Sequence, residues 1–483
     1  MDAFPQVTEA DLAATPPAVL ALLRAQADAI VRLTARVAEL EDELARLKGL
    51  KRKTPANSSV PPSSTHPHDK PLPKEPGKGT SKRKRGGQPG HDKHERPLIP
   101  SEQCAQVVEV VPDQCRKCRK ALAGTDPEPL RHQVWELPEI KPIVTEYRQH
   151  RLVCSCGCST CGKLPEGVPT GQAGPRLIAF AAVLMACFRQ SKRRAALFMS
   201  TILNQPASPA WMVKLQTLAA EAAKPAYDEL AAQLPKQKSL NIDESPTKQG
   251  TSKAWVWTFV AAGFTFFACR TSRAADILKE LLGQTYKGII GCDRARMYWC
   301  LGPGGKGRLQ WCWAHLLRDF QALIDGPCNT GKRLGHDLRR PTKEMFALWQ
   351  NVRDGTLSHR AFRRRIKPIR KTIDALLLRG YFNARTRGFC RELVQHKKYL
   401  WTFVDVAGIE PTNNAAEQAL RHAVIWRKLS FGTQSASGSR FVERLLTVVE
   451  TCRRQNRNAF AWLTDTVQSH LAHNPTPSLL PRA

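Results

Sequence analysis

The chain has 483 residues and a formal net charge of +32, from 74 lysines and arginines against 42 acidic residues. That length allows about two to four domains, and a charge of this size implies a polyanionic partner, most commonly nucleic acid. The longest apolar run, Leu177–Phe188, is 12 residues, too short to cross a bilayer, and no basic segment followed by an apolar one opens the chain, so neither a membrane anchor nor a secretory signal is expected.

Residues 1–50 contain a heptad. Val19, Leu23, Ile30, Leu33, Val37, Leu40, Leu44 and Leu47 recur at three- and four-residue steps, with Gln26 the polar member. Ile30 and Val37 occupy one seam position and Leu33, Leu40 and Leu47 the other, the pattern of a parallel two-stranded coil. The competing reading is an amphipathic helix packed on its own chain. Residues 51–101, with PANSSVPPSS and KRKRGGQPGH, are too poor in apolar residues to fold and read as a flexible basic linker. Its Lys82–Arg85 run is a candidate phosphate contact.

Of the 15 cysteines, many crowd into residues 102–165. Cys115 and Cys118 form a CxxC pair, and CSCGCSTC supplies Cys154, Cys156, Cys158 and Cys161. Two thiolate knuckles in a short segment with few apolar residues predict a closed, structural zinc site and a small DNA-contacting module. By spacing alone, Cys158 and Cys161 make the better second knuckle.

Residues 166–235 read as a helical connector. From 236 the pattern changes to short strands, at Ser239–Ile242, Trp255–Ala262, Thr265–Cys269 and Ile289–Cys292, with Gln310–Trp313 a further candidate and a helical stretch at 273–282. Residues 330–405 are helical and very basic, with Arg363, Arg364, Arg365, Lys367, Arg370 and Lys371 close together. A helix is expected after Pro411, capped by Thr412 and running to about Arg427, and another at Ser439–Arg453. The expected divisions are therefore a core at 236–435, with a helical insertion at about 326–405, and a C-terminal helical segment at 436–483.

Three acids stand out. Asp243 ends the apolar run LNIDE, Asp293 ends GIIGCD, and Glu417 lies on the helix NNAAEQALRHAV. Carboxylates from two strand tips and a helix suit magnesium or manganese, and such a set can hold two cations for phosphoryl transfer. Near them, His315 reads as a packing histidine or a DNA contact. Asn413 and Asn414, one turn before Glu417, face the site or satisfy the helix start. Trp255, Trp257, Trp311 and Trp313 read as core.

In chain order NIDES, GCDRARMY, QWCWAHLLRDF, EPTNNAAEQALRHAVIWRK and SFGTQSASGSRF resemble the blocks of insertion sequence 66 family transposases. SSVPPSS and GGQPGH resemble that family's linker, the heptad its leucine zipper, and the cysteines its zinc domain. The resemblance spans most of residues 15–465. It implies a multidomain α/β protein with an RNase H-like catalytic core. It implies a DDE transposase with Asp243, Asp293 and Glu417 as catalytic, metal-holding residues, acting with magnesium or manganese. Structural zinc would sit on Cys115, Cys118, Cys154 and Cys156, the spacing alternative being Cys158 and Cys161. Expected partners are DNA at the inverted-repeat ends and target, a second copy through the coil, and element-encoded accessory proteins; the expected location is cytoplasmic, nucleoid-associated when DNA is bound. The family usually has a small glycine and a tyrosine soon after its second aspartate; here Arg294 follows Asp293 and the tyrosine is Tyr298, and Arg294 is a candidate to contact DNA or perturb the metals. Arg427 and Lys428 match a family block and are candidate phosphate contacts. The alternative is a catalytically inactive DNA-binding regulator derived from such an enzyme.

A fragment of residues 1–50 is expected to sediment as a dimer at high concentration; a strict monomer would remove the coil.

Overall fold

The computed structural model describes residues 15–48, 97–301 and 308–481. The expected linker, 51–101, lies outside the described residues except for 97–101. Helix α1 (Pro17–Lys48) is continuous over 32 residues. Ile30, Leu33, Val37 and Leu40 of its apolar seam are all exposed.

In residues 97–165 regular structure is sparse. Strands β1 (Arg151–Val153) and β2 (Ser159–Cys161) pair antiparallel in a short hairpin, and Val110, Leu130, Ile143 and Val144 stand in solvent.

Four helices follow: α2 (Pro175–Ala186), α3 (Lys192–Ile202), α4 (Pro209–Ala222) and α5 (Lys224–Gln233). Their boundaries follow local chemistry. Ser191 and Ser208 accept amides from the first turns of α3 and α4, and proline opens α2 and α4, where a missing N–H costs nothing.

Five strands form one mixed sheet: β3 (Ser239–Gln249), β4 (Ser252–Val260), β5 (Thr265–Arg270), β6 (Ile289–Cys292) and β7 (Arg308–Trp311), in the order β5-β4-β3-β6-β7. The first strand is central. Its hairpin partners β4 and β5 run antiparallel on one side, while β6 and β7 run parallel on the other. Helix α6 (Ala275–Leu282) carries the chain from β5 to β6. β3 extends well past the Ser239–Ile242 expected from sequence. The pairing with β6 stops at Asn241, so the polar second half of β3, which includes Pro246, is paired with β4 and otherwise only through a single bridge from Gln249 to Thr433. A proline is tolerated there because that side has no ladder partner.

Beyond β7 lie α7 (Trp313–Asp325), α8 (Asn329–Arg353), α9 (His359–Phe382), α10 (Arg387–Gln395) and α11 (Thr402–Asp405). Gly335 lets α8 close on α7: a Cβ there would meet the Phe320 carbonyl oxygen at 2.7 Å. The chain returns to the sheet with α12 (Asn414–Ser430) and ends with α13 (Ala436–Arg454) and α14 (Ala459–Leu471). One apolar cluster extends from Ala173 to Leu479, so the segments 166–235, 236–435 and 436–483 share a core. Trp257, Trp311 and Trp313 are buried in it, and half-buried Trp255 lies under the Arg273 guanidinium. No helix among the described residues is long and apolar enough to cross a membrane.

Both sheet edges are closed by side chains. On β5, the amides of Cys269, Phe267 and Thr265 donate to Glu443 (2.8 Å), Thr447 (2.9 Å) and Thr451 (3.1 Å) of α13. Four helical residues rise about 6 Å and two strand residues about 6.8 Å, so an i, i+4, i+8 stripe matches every second residue of a strand. On β7, Thr402 donates to the Leu309 carbonyl at 2.6 Å and the Gln310 side chain accepts from the Phe403 amide at 2.8 Å.

Thr447→Val keeps the shape but orphans the buried Phe267 amide. It is expected to destabilise the protein by about 1–3 kcal/mol in urea unfolding, and Thr447→Ser by less. Equal stability of Val and wild type would show the bond to be dispensable.

Candidate metal and phosphoryl-transfer site

The register of the parallel strands determines which residues meet. Ser239, Leu240 and Asn241 pair with Ile289, Ile290 and Gly291, so Asp243 and Asp293 lie at equal distance beyond the last pair. Cys292 pairs with Trp311, which sets Cys312 at the same level as Asp293. All three lie where the parallel pairing ends at its carboxyl side, the usual location of sites in α/β sheets. Asp243 is thus not a strand tip, as its sequence suggests; it is mid-strand, at the point where β3 loses β6.

Glu417 reaches this row because α12 is pinned to it. The helix is preceded by Asn413, not the expected Thr412, and the Asn413 side chain caps no amide of α12. Instead Asn413 Nδ2 donates to the Ile242 carbonyl at 2.8 Å, its Oδ1 accepts from Asn241 at 2.9 Å, and its backbone amide donates to Cys312 Sγ at 3.1 Å. Gly291 makes room, since a Cβ there would lie 2.4 Å from Asn241 Nδ2. Asn414 is the first residue of α12.

The carboxylates repel one another. Burial raises Asp243 well above the ordinary carboxylate range, and Glu244, Asp293 and Glu417 raise it further. Burial also raises Asp293, against the Ala295 amide and the charges of Arg273, Arg294 and Arg318. Glu417 is raised by burial, opposed by Arg318 and reinforced by Asp293. Among the described residues neither Asp243 nor Asp293 has an ion-pair partner, in a protein with a net charge of +32. Hard oxygen donors left uncompensated in one place fit a divalent cation such as magnesium or manganese.

Glu244 is a fourth carboxylate of the cluster that sequence reasoning passed over. Its buried side chain accepts from Arg273 at 2.6 Å and from Tyr298 at 2.5 Å. The tyrosine of GCDRARMY was the available signal, but nothing in the sequence tied it to Glu244.

His315, in the first turn of α7, has Nδ1 3.4 Å from Glu417 Oε1 without a hydrogen-bonding geometry, and Arg318 donates to the same oxygen at 3.3 Å. Burial, with Arg318 and Arg294, lowers His315 to about 4, so the imidazole is neutral at neutral pH. Cys312, His315 and Glu417 bring three potential ligand atoms within 4.8 Å of one another, the one such group of three among the described residues. Burial raises the Cys312 thiol to about 11.

Arg294 donates to Asp319 at 2.7 Å and to Glu392 at 3.0 Å, with its guanidinium over the Phe389 ring. It joins α7 to α10. Arg427 donates to Ser245 Oγ at 3.3 Å and to the Pro246 carbonyl, tying the end of α12 to β3; Lys428 is the next residue of that last turn. In the cysteine segment, the amides of Cys118 and Lys117 lower the Cys115 thiol, and the Cys156 amide lowers Cys154. Cys158 and Cys161 are exposed, Cys161 at the end of β2.

An acid with a raised pKa holds its proton more tightly folded than unfolded. Its contribution to stability is full below the unfolded value, about 4, and is lost as pH rises through the folded value. At neutral pH the ionised cluster therefore costs stability. Metal-free Asp243→Asn is expected to melt a few degrees higher than wild type at pH 7, with the gap closing toward pH 4. Magnesium at about 100 times its dissociation constant stabilises wild type by about 2.7 kcal/mol and the variant by much less. Equal magnesium shifts would remove Asp243 from the metal site.

Residues 170–440 match the model of the Transposase IS66 family, and residues 14–97 match a family of unknown function. The uncharacterized protein y4qI of Sinorhizobium fredii is 25% identical over 249 residues, covering 46% of this chain and 45% of the relative. This chain thus spans less than half the length of that relative. The match across residues 170–440 takes in every strand of the central sheet and all three acids. The chain belongs to the IS66 family of transposases.

Proposed function

We propose that this chain is a DNA transposase that cleaves the ends of its element and joins them to target DNA, with Asp243, Asp293 and Glu417 as the catalytic acids. The observation that carries this reading is the placement of three buried carboxylates at the carboxyl end of the parallel strands, near enough to raise one another's hold on protons, with Asp243 and Asp293 lacking an ion-pair partner among the described residues. A central first strand, with an antiparallel hairpin on one side and two parallel strands on the other, supports an RNase H-like core. Asp243, Asp293 and Glu417 would hold divalent cations, which would supply Lewis-acid activation of a hydroxyl nucleophile and stabilisation of charge on the leaving oxygen.

The remaining residues orient these acids. Asn413 holds the Glu417 helix. Arg318 and neutral His315 turn the Glu417 carboxylate, a positioning role that we prefer for His315 over DNA contact. Arg294 and Arg427 are braced within the chain, which supports the same reading for them. Arg363, Arg364, Arg365, Lys367 and Lys371 are exposed along α9 and supply a DNA clamp. Amides turned toward the sulfurs of Cys115 and Cys154 support thiolate knuckles, so zinc would fold residues 102–165, with Cys118 and Cys156 as the neighbouring ligands. The exposed seam of α1 supports pairing of two chains, hence of two DNA ends.

Duplex DNA carrying the element's own ends, incubated with magnesium or manganese, is expected to be cut by wild type. With Glu417→Gln, cutting is expected to fall by at least about two orders of magnitude. Binding without cutting, even with accessory proteins added, would favour the inactive regulator.

A further inference from the structure

The connector helices carry a surface that the catalytic reading leaves unused. Helices α3 and α4 are joined by a turn that is fastened from within. Asn204 adopts a left-handed φ of 51°, the Gln205 amide donates to the Met199 carbonyl at 3.0 Å, and the Ala207 amide donates to Ser200 Oγ at 3.2 Å. Ser208 then caps α4 by accepting from the Trp211 amide at 3.1 Å. Beneath them α2 supplies a third helix, and Met199, Met212, Leu215 and Ala219 are buried with its Ile178 and Ala182.

The opposite side of α4 is free. Ala210, Val213, Lys214 and Thr217 are exposed at i, i+3, i+4 and i+7, so they share one face. It holds a cation, a hydroxyl and small apolar groups, and its sole acid, Glu221, lies in the last turn. Lys192, Arg193 and Arg194 are exposed at the start of α3. From Gly174 to Ala220 the chain has Arg176, Arg189, Lys192, Arg193, Arg194 and Lys214 and no acidic residue. A concave surface lined by Gln205, Ser208, Trp211 and Lys214 lies at the amino end of α4.

We propose that α2, α3 and α4 form a helix-turn-helix unit, with α4 entering the major groove of duplex DNA and the basic start of α3 gripping phosphates. The inference rests on the reading that the chain acts on DNA. A helix fits the major groove, whose base edges distinguish all four pairs. Lys214 is suited to guanine and the Val213 and Thr217 methyls to thymine, whereas Arg193 and Arg194 serve backbone charge. The unit supplies sequence recognition that three acids and a clamp do not provide.

The test uses the full-length chain and a random-sequence duplex pool. Wild type is expected to enrich a discrete site. Lys214→Ala with Thr217→Ala should bind that site roughly tenfold more weakly and enrich a different sequence. Arg193→Ala with Arg194→Ala should weaken all duplexes alike and lower the salt slope by about 2. A photo-crosslinking residue at Thr217 should label DNA, and one at exposed Asp276 should not. Enrichment of the same site by the Lys214/Thr217 variant, enrichment of nothing by a wild type that binds the pool, or labelling of a second protein chain from Thr217 would overturn the proposal and leave the transposase reading intact. A wild type that retains no duplex at low salt would overturn both.

Discussion

Asn413 ties helix α12 to β3 through its carboxamide and to Cys312, just past β7, through its backbone amide, three places far apart in sequence. It donates to the Ile242 carbonyl and accepts from Asn241, while its backbone amide rests on the Cys312 sulfur. With Asn413 only 1% exposed, water cannot compete for these bonds, so leaving any one unmade is costly. The position of Glu417, one turn into α12, follows from that joint, and the joint depends on Gly291 leaving space for Asn241. A site drawn from β3, the end of β6 and α12 is thus held by neutral polar contacts rather than by charge.

The charged residues around it have a different task. Arg273 is spent on Glu244, Arg294 on Asp319 and Glu392, and Arg318 on Glu417. Asp243 and Asp293 stay unpaired among the described residues, whereas Glu417 and the neighbouring Glu244, Asp319 and Glu392 each receive a cation. These pairings leave the oxygens of Asp243 and Asp293 with an electrostatic deficit that a cation can fill.

Much of this was legible in the sequence, for identifiable reasons. The four shorter strands appear as apolar runs bounded by turns, and the helices of the connector and insertion as long periodic stretches. The length of β3 was hidden, because DESPTKQ is polar and contains a proline; only the missing β6 partner makes that segment an acceptable strand. The meeting of the acids at one level followed from similar strand ends, but the level itself is a matter of register, which no single strand reveals. Thr412 looked like the cap because threonine before an apolar helix usually is, and Asn413 instead reaches across to β3. Glu244 was overlooked because neighbours on a strand alternate between faces, yet its charge, held by Arg273 and Tyr298, still acts on Asp243. The cysteine segment was legible only as a spacing, since its apolar residues are exposed and little secondary structure organises them.

The stripe of Glu443, Thr447 and Thr451 on α13 sets a limit on how the chain can be divided. Every second amide of β5 is satisfied from a helix that begins at Ala436 and delivers its last acceptor at Thr451. A fragment ending at the family boundary near residue 440 would keep all five strands and all three acids, yet leave an apolar strand with a row of open donors. Such an edge recruits other strands. Autonomy of the sheet domain therefore lies with a segment that contributes none of the three acids. An excised core should include α13, because the helix acts as the missing sixth member of the sheet and keeps the domain from polymerising through its own edge.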